Sequence, residues 1–161
     1  MTLADVQFLF AYNAWANDRM FTTLVALSDE QFTRSLGGSF PTIRDTAAHL
    51  VSAEWTWVRR WKGTSPRSFP EWASNATAAT LREHLTEIEQ QRASHLESLT
   101  DEDLGRTLSF TRFNGEESSL PFGQSLQHVV NHSTYHRGQI VTLLRQVGVT
   151  PVSTDLLLYK P

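Results

Sequence analysis

The sequence predicts an all-α protein, a four-helix bundle with a long crossover between its second and third helices. Four segments place apolar residues at helical spacing, and none shows the alternation that is typical of a half-buried strand. The chain has 161 residues, of which 40% are hydrophobic and 19% charged, a composition typical of a folded domain rather than a disordered chain. We therefore expect a single bundle domain over residues 1–161.

The first predicted helix covers about residues 2–27. Its apolar stripe repeats at helical spacing and is formed by Leu3, Val6, Phe10, Met20, Leu24 and Leu27. Asn13 and Asn17 lie on the same stripe. Because buried amides need hydrogen-bond partners, we expect these two side chains either to bond across the core or to line a cavity.

The second predicted helix covers about residues 41–61. Pro41 suits an early helical position, and the following segment 62–70 contains one glycine and two prolines, which end the helix. This segment opens a long connection, the crossover at residues 62–75. One broad face of the helix carries Ile43, Ala47, Leu50, Glu54, Trp57 and Trp61.

The third and fourth predicted helices cover about residues 76–99 and 121–147. Gly148, with Pro151 just beyond it, is a regular signal for the end of the fourth helix. Residues 27–36 resemble residues 99–108, and each copy precedes a histidine-bearing helix. This faint repeat predicts two related helical hairpins, although such segments are also common as helix-capping sequences without any duplication.

The fourth helix carries His128, His132 and His136 at intervals of four residues. Imidazoles four residues apart project from one face about 6 Å apart along the axis, so such a pair can reach one metal ion, whereas the outer two of three cannot. Helical angles place His132 and His136 nearest the apolar face and His128 furthest from it. The inward pair therefore predicts two metal ligands.

His49, on the strongly apolar second helix, is the candidate for a third ligand. An isolated pair of histidines at this spacing is often chance or surface decoration, and this interpretation competes with metal binding. A di-iron site would need Glu-x-x-His pairs, but positions 46, 125, 129 and 133 are Thr, Ser, Val and Ser. Ser133 also stands where a zinc protease motif has glutamate. His84 and His95 lie on the charged third helix, where we expect them to face solvent.

Composition excludes several classes of function. The chain has no cysteine, which rules out disulfides, thiolate metal sites and a cysteine nucleophile. A net charge of −3 argues against a general nucleic-acid binder, and no apolar run is long enough for a membrane span. The first residues lack the pattern of a signal peptide, so we expect a cytoplasmic protein with no nucleic-acid or membrane partner.

Four parts of the chain carry recognisable motifs: residues 12–17, His49 with Glu54 and Trp57 downstream, residues 128–140 and the tail 154–159. In these motifs, and over nearly its whole length, the chain resembles the DinB family, within the wider DinB/YfiT-like group of metal-dependent proteins. It implies a four-helix bundle, often a homodimer, with a divalent metal held by His49, His132 and His136. His128 would then have a supporting or structural role.

Characterised relatives in the group include bacillithiol transferases and a mycothiol-dependent isomerase. The resemblance therefore implies a metal-dependent small-molecule enzyme, in which a metal activates a low-molecular-weight thiol or water. The alternative is a non-catalytic, damage- or stress-associated protein that binds a metal or an apolar ligand. Three imidazoles suit zinc, nickel, copper or iron about equally, so the sequence leaves both the metal and the catalytic residues open.

The tail contains three consecutive leucines, Leu156 to Leu158, which are too apolar to be left in water. We expect the tail to fold back onto the bundle. Asp155 would then lie near the fourth helix, where Arg137 sits at the edge of the apolar face and needs a partner if it is buried. We accordingly expect Asp155 to pair with Arg137.

Overall fold

The computed structural model describes residues 1–161, and four long helices form its bundle. The four long helices are α1 (Leu3–Val25), α3 (Ile43–Trp61), α4 (Ala78–Glu97) and α5 (Phe122–Gln146), and a short helix, α2 (Asp29–Thr33), follows α1. Short 3₁₀ turns occur at Glu71–Ser74, Glu102–Gly105 and Leu156–Leu158. The all-α four-helix bundle predicted from the sequence is therefore confirmed. No helix combines the length and apolar character that a membrane-spanning segment requires.

The four long helices pack in the cyclic order α1, α4, α3, α5. Each contacts two neighbours, so that α1 lies diagonally opposite α3 and α4 lies diagonally opposite α5. The two helical hairpins inferred from the sequence repeat are therefore wrong, because the members of each supposed hairpin are not side by side. The connections at 26–42 and 98–121 are long enough to cross the end of the bundle, and each contains structure of its own.

A two-stranded sheet, which the sequence analysis did not predict, lies in the second of these connections. Strand β1 (Thr107–Thr111) pairs antiparallel with β2 (Glu117–Pro121), and the turn between them places Gly115 at φ 88°. Leu108 and Phe110 are buried and alternate with exposed neighbours. This alternation spans only five residues, and β2 has no fully buried position, so the pattern was too short to detect.

A buried carboxylate, Glu54 on α3, connects all four long helices. It pairs with Arg92 of α4, and its Oε1 atom accepts hydrogen bonds from Asn13 Nδ2 (2.8 Å), Asn17 Nδ2 (3.1 Å) and Ser133 Oγ (2.7 Å). Burial alone would raise the pKa of Glu54, but the charge of Arg92 and these donors outweigh it and lower the pKa. Removing one partner of such a buried pair costs about 3–5 kcal/mol.

Arg137 of α5 is also fully buried, and the two asparagines of α1 provide its partners. Its Nη1 donates to Asn13 Oδ1 at 2.6 Å and to Asn17 Oδ1 at 2.8 Å. Each amide thus accepts from Arg137 and donates to Glu54. The asparagines bond across the core, which was one of the two expectations.

The expected ion pair between Asp155 and Arg137 is wrong. Asp155 is exposed, and its carboxylate accepts from the backbone N–H of Leu157 at 2.9 Å, capping the last 3₁₀ turn. Arg137 finds its acceptors elsewhere: the two amide oxygens and Thr134 Oγ1 (2.8 Å) accept from its Nη atoms, while its buried Nε has no partner.

The tail does fold back, but its backbone and Tyr159 make the contacts. Tyr12 donates to the Thr154 carbonyl at 2.8 Å, and the Tyr159 ring packs 5.6 Å from Trp15. The three leucines that motivated the expectation stay exposed, with Leu157 at 87%.

We predict that Glu89 makes stability depend on pH. Burial is the main cause that raises the pKa of Glu89 to about 7, against 4.5 for an ordinary glutamate. The nearby charge of Glu54 adds a smaller contribution in the same direction. The folded state then binds more protons than the unfolded state between these values, so this group's contribution to stability is lost as the pH rises from about 4.5 to about 7. Glu89→Gln should remove that loss.

The measurement is urea unfolding of Glu89→Gln and of the parent protein at pH 5 and pH 8. The difference in free energy of unfolding between the variant and the parent should be more favourable to the variant at pH 8 than at pH 5. Glu83→Gln, an exposed position on the same helix, is the matched control and should show the same difference at both values. A difference for Glu89→Gln that does not change with pH would contradict the prediction.

Candidate metal centre

The structure brings His49, His132 and His136 together between two adjacent helices. His49 lies on α3, and the other two lie one turn apart on α5. The Nε2 atom of His132 is 3.2 Å from that of His49 and 3.1 Å from that of His136. All three ligand atoms lie within 4.8 Å of one another, so the group could hold one metal ion.

These separations fit three ligands of a single ion. Nitrogen ligands at 2.0–2.1 Å in tetrahedral geometry lie about 3.3 Å apart, which is close to the two Nε2 separations above. The cluster contains no fourth histidine and no carboxylate. Three neutral donors with no fourth protein ligand are typical of an open site rather than a closed structural one.

Gln139 sets the proton position on His136. Its Oε1 atom lies 2.7 Å from His136 Nδ1. Because an amide oxygen only accepts, the Nδ1 atom must donate, which leaves the lone pair of Nε2 free to face the cluster. Sequence analysis assigned no role to Gln139, although its position three residues after His136 places both on one helical face.

All three imidazoles are held neutral. Burial, followed by the charge of His136, lowers the pKa of His49 to about 4. Burial and then the neighbouring histidines lower the pKa of His132 to about 3. Burial also lowers the pKa of His136, against the opposing effect of its hydrogen bond with Gln139. At neutral pH the cluster therefore offers unprotonated donors, which is the form that binds metal.

Two phenylalanines from the loops form an aromatic wall beside the cluster. The Phe40 ring stacks on His49 with centroids 4.4 Å apart, and the Phe69 ring meets His49 edge-on at 5.5 Å. Both rings, with Ser52, line a cavity of about 530 Å³ that reaches His49. Sequence analysis missed both residues, since loop aromatics have no periodicity that indicates where they point.

The other histidines lie outside the cluster. His128 is exposed, and its ring centroid is 5.6 Å from that of His132 and 5.1 Å from Trp57. His84 and His95 are half-buried rather than solvent-facing as expected. His84 stacks on Trp72 at 4.2 Å, and the Nε2 atom of His95 is buried with no partner. The charged composition of α4 concealed the aromatic neighbours that cover these two side chains.

The buried network described above fixes the helix that carries two of the three histidines. Ser133 follows His132 directly and donates to Glu54, which lies five residues after His49 on α3. This hydrogen bond joins the two helices of the cluster, as does the one from Trp61 Nε1 of α3 to Ser125 Oγ of α5 (2.8 Å). The bond from Ser133 holds His132 opposite His49.

Comparisons with known proteins agree with this architecture. Protein DinB from Bacillus subtilis (strain 168) is 30% identical over 174 residues, covering 98% of this chain and 95% of that protein. YizA, an uncharacterized protein of the same organism, is 23% identical and covers 92% of this chain and 91% of its own length.

Two solved structures share this fold. A DinB-like protein from Bacillus cereus ATCC 10987 superposes with a TM-score of 0.69 and 22% identity, covering 91% of this chain and 94% of that one. YfiT from Bacillus subtilis, described as "a probable metal-dependent hydrolase with an unusual four-helix bundle topology", has a TM-score of 0.69 and 20% identity, covering 90% and 86%. The model of the DinB family matches residues 3–161. The chain belongs to the DinB family.

Proposed function

We propose that this protein is a metal-dependent enzyme acting on a small molecule, with His49, His132 and His136 as the ligands of a divalent ion. The observation that carries the proposal is the convergence of three neutral Nε2 atoms on one point beside an open cavity. A divalent ion held by these residues would act as a Lewis acid and would lower the pKa of a water or thiol.

The residues of the chain itself prepare this site. Gln139 keeps the proton of His136 on Nδ1, so that Nε2 stays a donor to the metal. Phe40 and Phe69 pack against His49 and line the cavity that reaches it. Ser133 and Glu54 keep α5 in register with α3.

Two nucleophiles suit this chemistry, a low-molecular-weight thiol and water. The chain has no cysteine, so a thiol would have to arrive as a cosubstrate, as the resemblance to thiol-dependent relatives implies. The description of YfiT as a probable metal-dependent hydrolase favours water. The rival function, a non-catalytic metal- or ligand-binding protein, uses the same cluster and differs only in lacking turnover.

Assembly as a homodimer stays a prediction, to be checked by light scattering.

Loss of any one of the three histidines should lower metal stoichiometry. His49→Ala, His132→Ala and His136→Ala each remove one of the three converging nitrogens, whereas His84→Ala, His95→Ala and His128→Ala remove none. Elemental analysis of protein prepared without a nickel column measures the effect. Equal metal loss in the second set would refute the ligand assignment. The same elemental analysis identifies the metal that the protein retains.

Gln139→Leu should weaken metal binding without abolishing it. The change keeps the three ligands but removes the acceptor that orients His136, and such supporting residues typically change affinity about 10- to 100-fold. Competition with a chromogenic chelator measures the affinity. Gln146→Leu, on the exposed face of the same helix, is the control. An unchanged affinity in Gln139→Leu would show that the hydrogen bond does not orient the ligand.

Catalysis should depend on metal and on the intact cluster. Metal-loaded protein is assayed with chlorodinitrobenzene in the presence of several thiols, and separately with aryl esters in the absence of thiol. We expect a metal-dependent rate in one of these assays, retained by His84→Ala and reduced to background by His132→Ala. A rate that requires thiol identifies a transferase, and a rate without thiol identifies a hydrolase. No metal-dependent rate in either assay would favour the non-catalytic alternative.

A further inference from the structure

A second cavity, here called the basic pocket, lies between α3, α5 and the β1–β2 hairpin. It has a volume of about 580 Å³, and its polar lining consists of Arg60, Arg112, His128, Ser118, Ser119 and Gln124. All six side chains can donate hydrogen bonds, and the lining includes no carboxylate. Because the chain carries 17 acidic against 14 basic residues, a pocket with two arginines and no acid is a local inversion of charge.

The two arginines have no counter-ion within the chain. Neither Arg60 nor Arg112 forms an ion pair with a carboxylate, whereas the fully buried Arg92 does. The Nε atom of Arg60 is buried and has no hydrogen-bond partner. An arginine in that state is stabilised when an oxyanion accepts from its planar guanidinium, commonly in a bidentate manner.

Aromatic rings hold Arg60 in position. Its guanidinium carbon lies 4.8 Å from the ring centroid of Trp57 and 4.4 Å from that of Phe110. These contacts pack the guanidinium group against two aromatic rings, which restricts its movement. Burial and then the charge of Arg112 lower the pKa of Arg60, because the two positively charged guanidinium groups repel each other.

The basic pocket adjoins the histidine cluster. His128, which lines the pocket, has its ring centroid 5.6 Å from that of His132. On the loop side, Phe113 lies 5.7 Å from the Arg60 guanidinium and 4.9 Å from Phe69, which contacts His49. The basic pocket and the histidine cluster are therefore neighbours along α5, with His128 between them.

We propose that the basic pocket binds the carboxylate or phosphate group of a small-molecule ligand through Arg60 and Arg112. That this ligand is the substrate, with its reactive group at the histidine cluster, rests on the proposed function. The two arginines then determine specificity by selecting substrates that carry an oxyanion at a position remote from the reacting group.

The test is binding of inorganic phosphate and of acetate to the metal-loaded protein, followed by NMR of the Arg60 Nε–H and the Trp57 indole N–H. We expect saturable shifts of both signals. Arg60→Gln and Arg112→Gln should each weaken binding about tenfold or more, since hydrogen bonds to charged groups contribute about 1.5–3 kcal/mol. The anion with the lower Kd identifies the group that the pocket prefers. Arg112 is exposed on the hairpin, so its variant should fold normally.

Arg59→Gln is the matched control, with the same charge change on the adjacent, exposed position of α3. Chloride at equal ionic strength should not reproduce the shifts. Equal weakening by Arg59→Gln, or unchanged binding in both pocket variants, would overturn the proposal. His132→Ala separates it from the proposed function: phosphate binding that persists without metal supports the basic pocket, and phosphate binding that disappears with the metal overturns it.

Discussion

The architecture depends on the burial of one carboxylate, Glu54, in a core that offers it no water. Its charge must be met by Arg92 and by donors from the remaining helices, and it receives them from Asn13 and Asn17 of α1 and from Ser133 of α5. An uncompensated charge at this depth would cost several kcal/mol, so only one register of the four helices is acceptable.

That register also determines the histidine cluster. The carboxylate of α3 and the hydroxyl of α5 meet directly below the point where His49 faces His132 and His136. The two helices that carry the three histidines are therefore held together by a hydrogen bond in which no histidine takes part. Above it, the aromatic wall, the open side of the cluster and the basic pocket lie on the α3–α5 side of the bundle. The opposite side, where α1 packs on α4, provides the counter-charges and the packing.

Periodicity was sufficient to predict the four long helices, and helical angles were sufficient to select His132 and His136 over His128. Neither could predict the partners of α1, because neighbours across the bundle depend on connection geometry rather than on local pattern. Arg92 lies on a helix rich in charged residues, so nothing in the sequence distinguishes it from solvated neighbours such as Arg82. The Asp155–Arg137 pair failed for a related reason: two amides can satisfy a guanidinium as well as a carboxylate does.

The neutral state of the cluster has a thermodynamic consequence for metal exchange. Thiolate sites release protons when they bind metal near neutrality, and ordinary histidines release a fraction of one each. Here the imidazoles are already unprotonated, with the pKa of His49 at about 4 and that of His132 at about 3. A metal ion that binds here would therefore displace few protons from these two imidazoles at pH 7. A heat of binding that depends on the ionisation enthalpy of the buffer would then report protons released elsewhere, for example from a water or thiol at the ion.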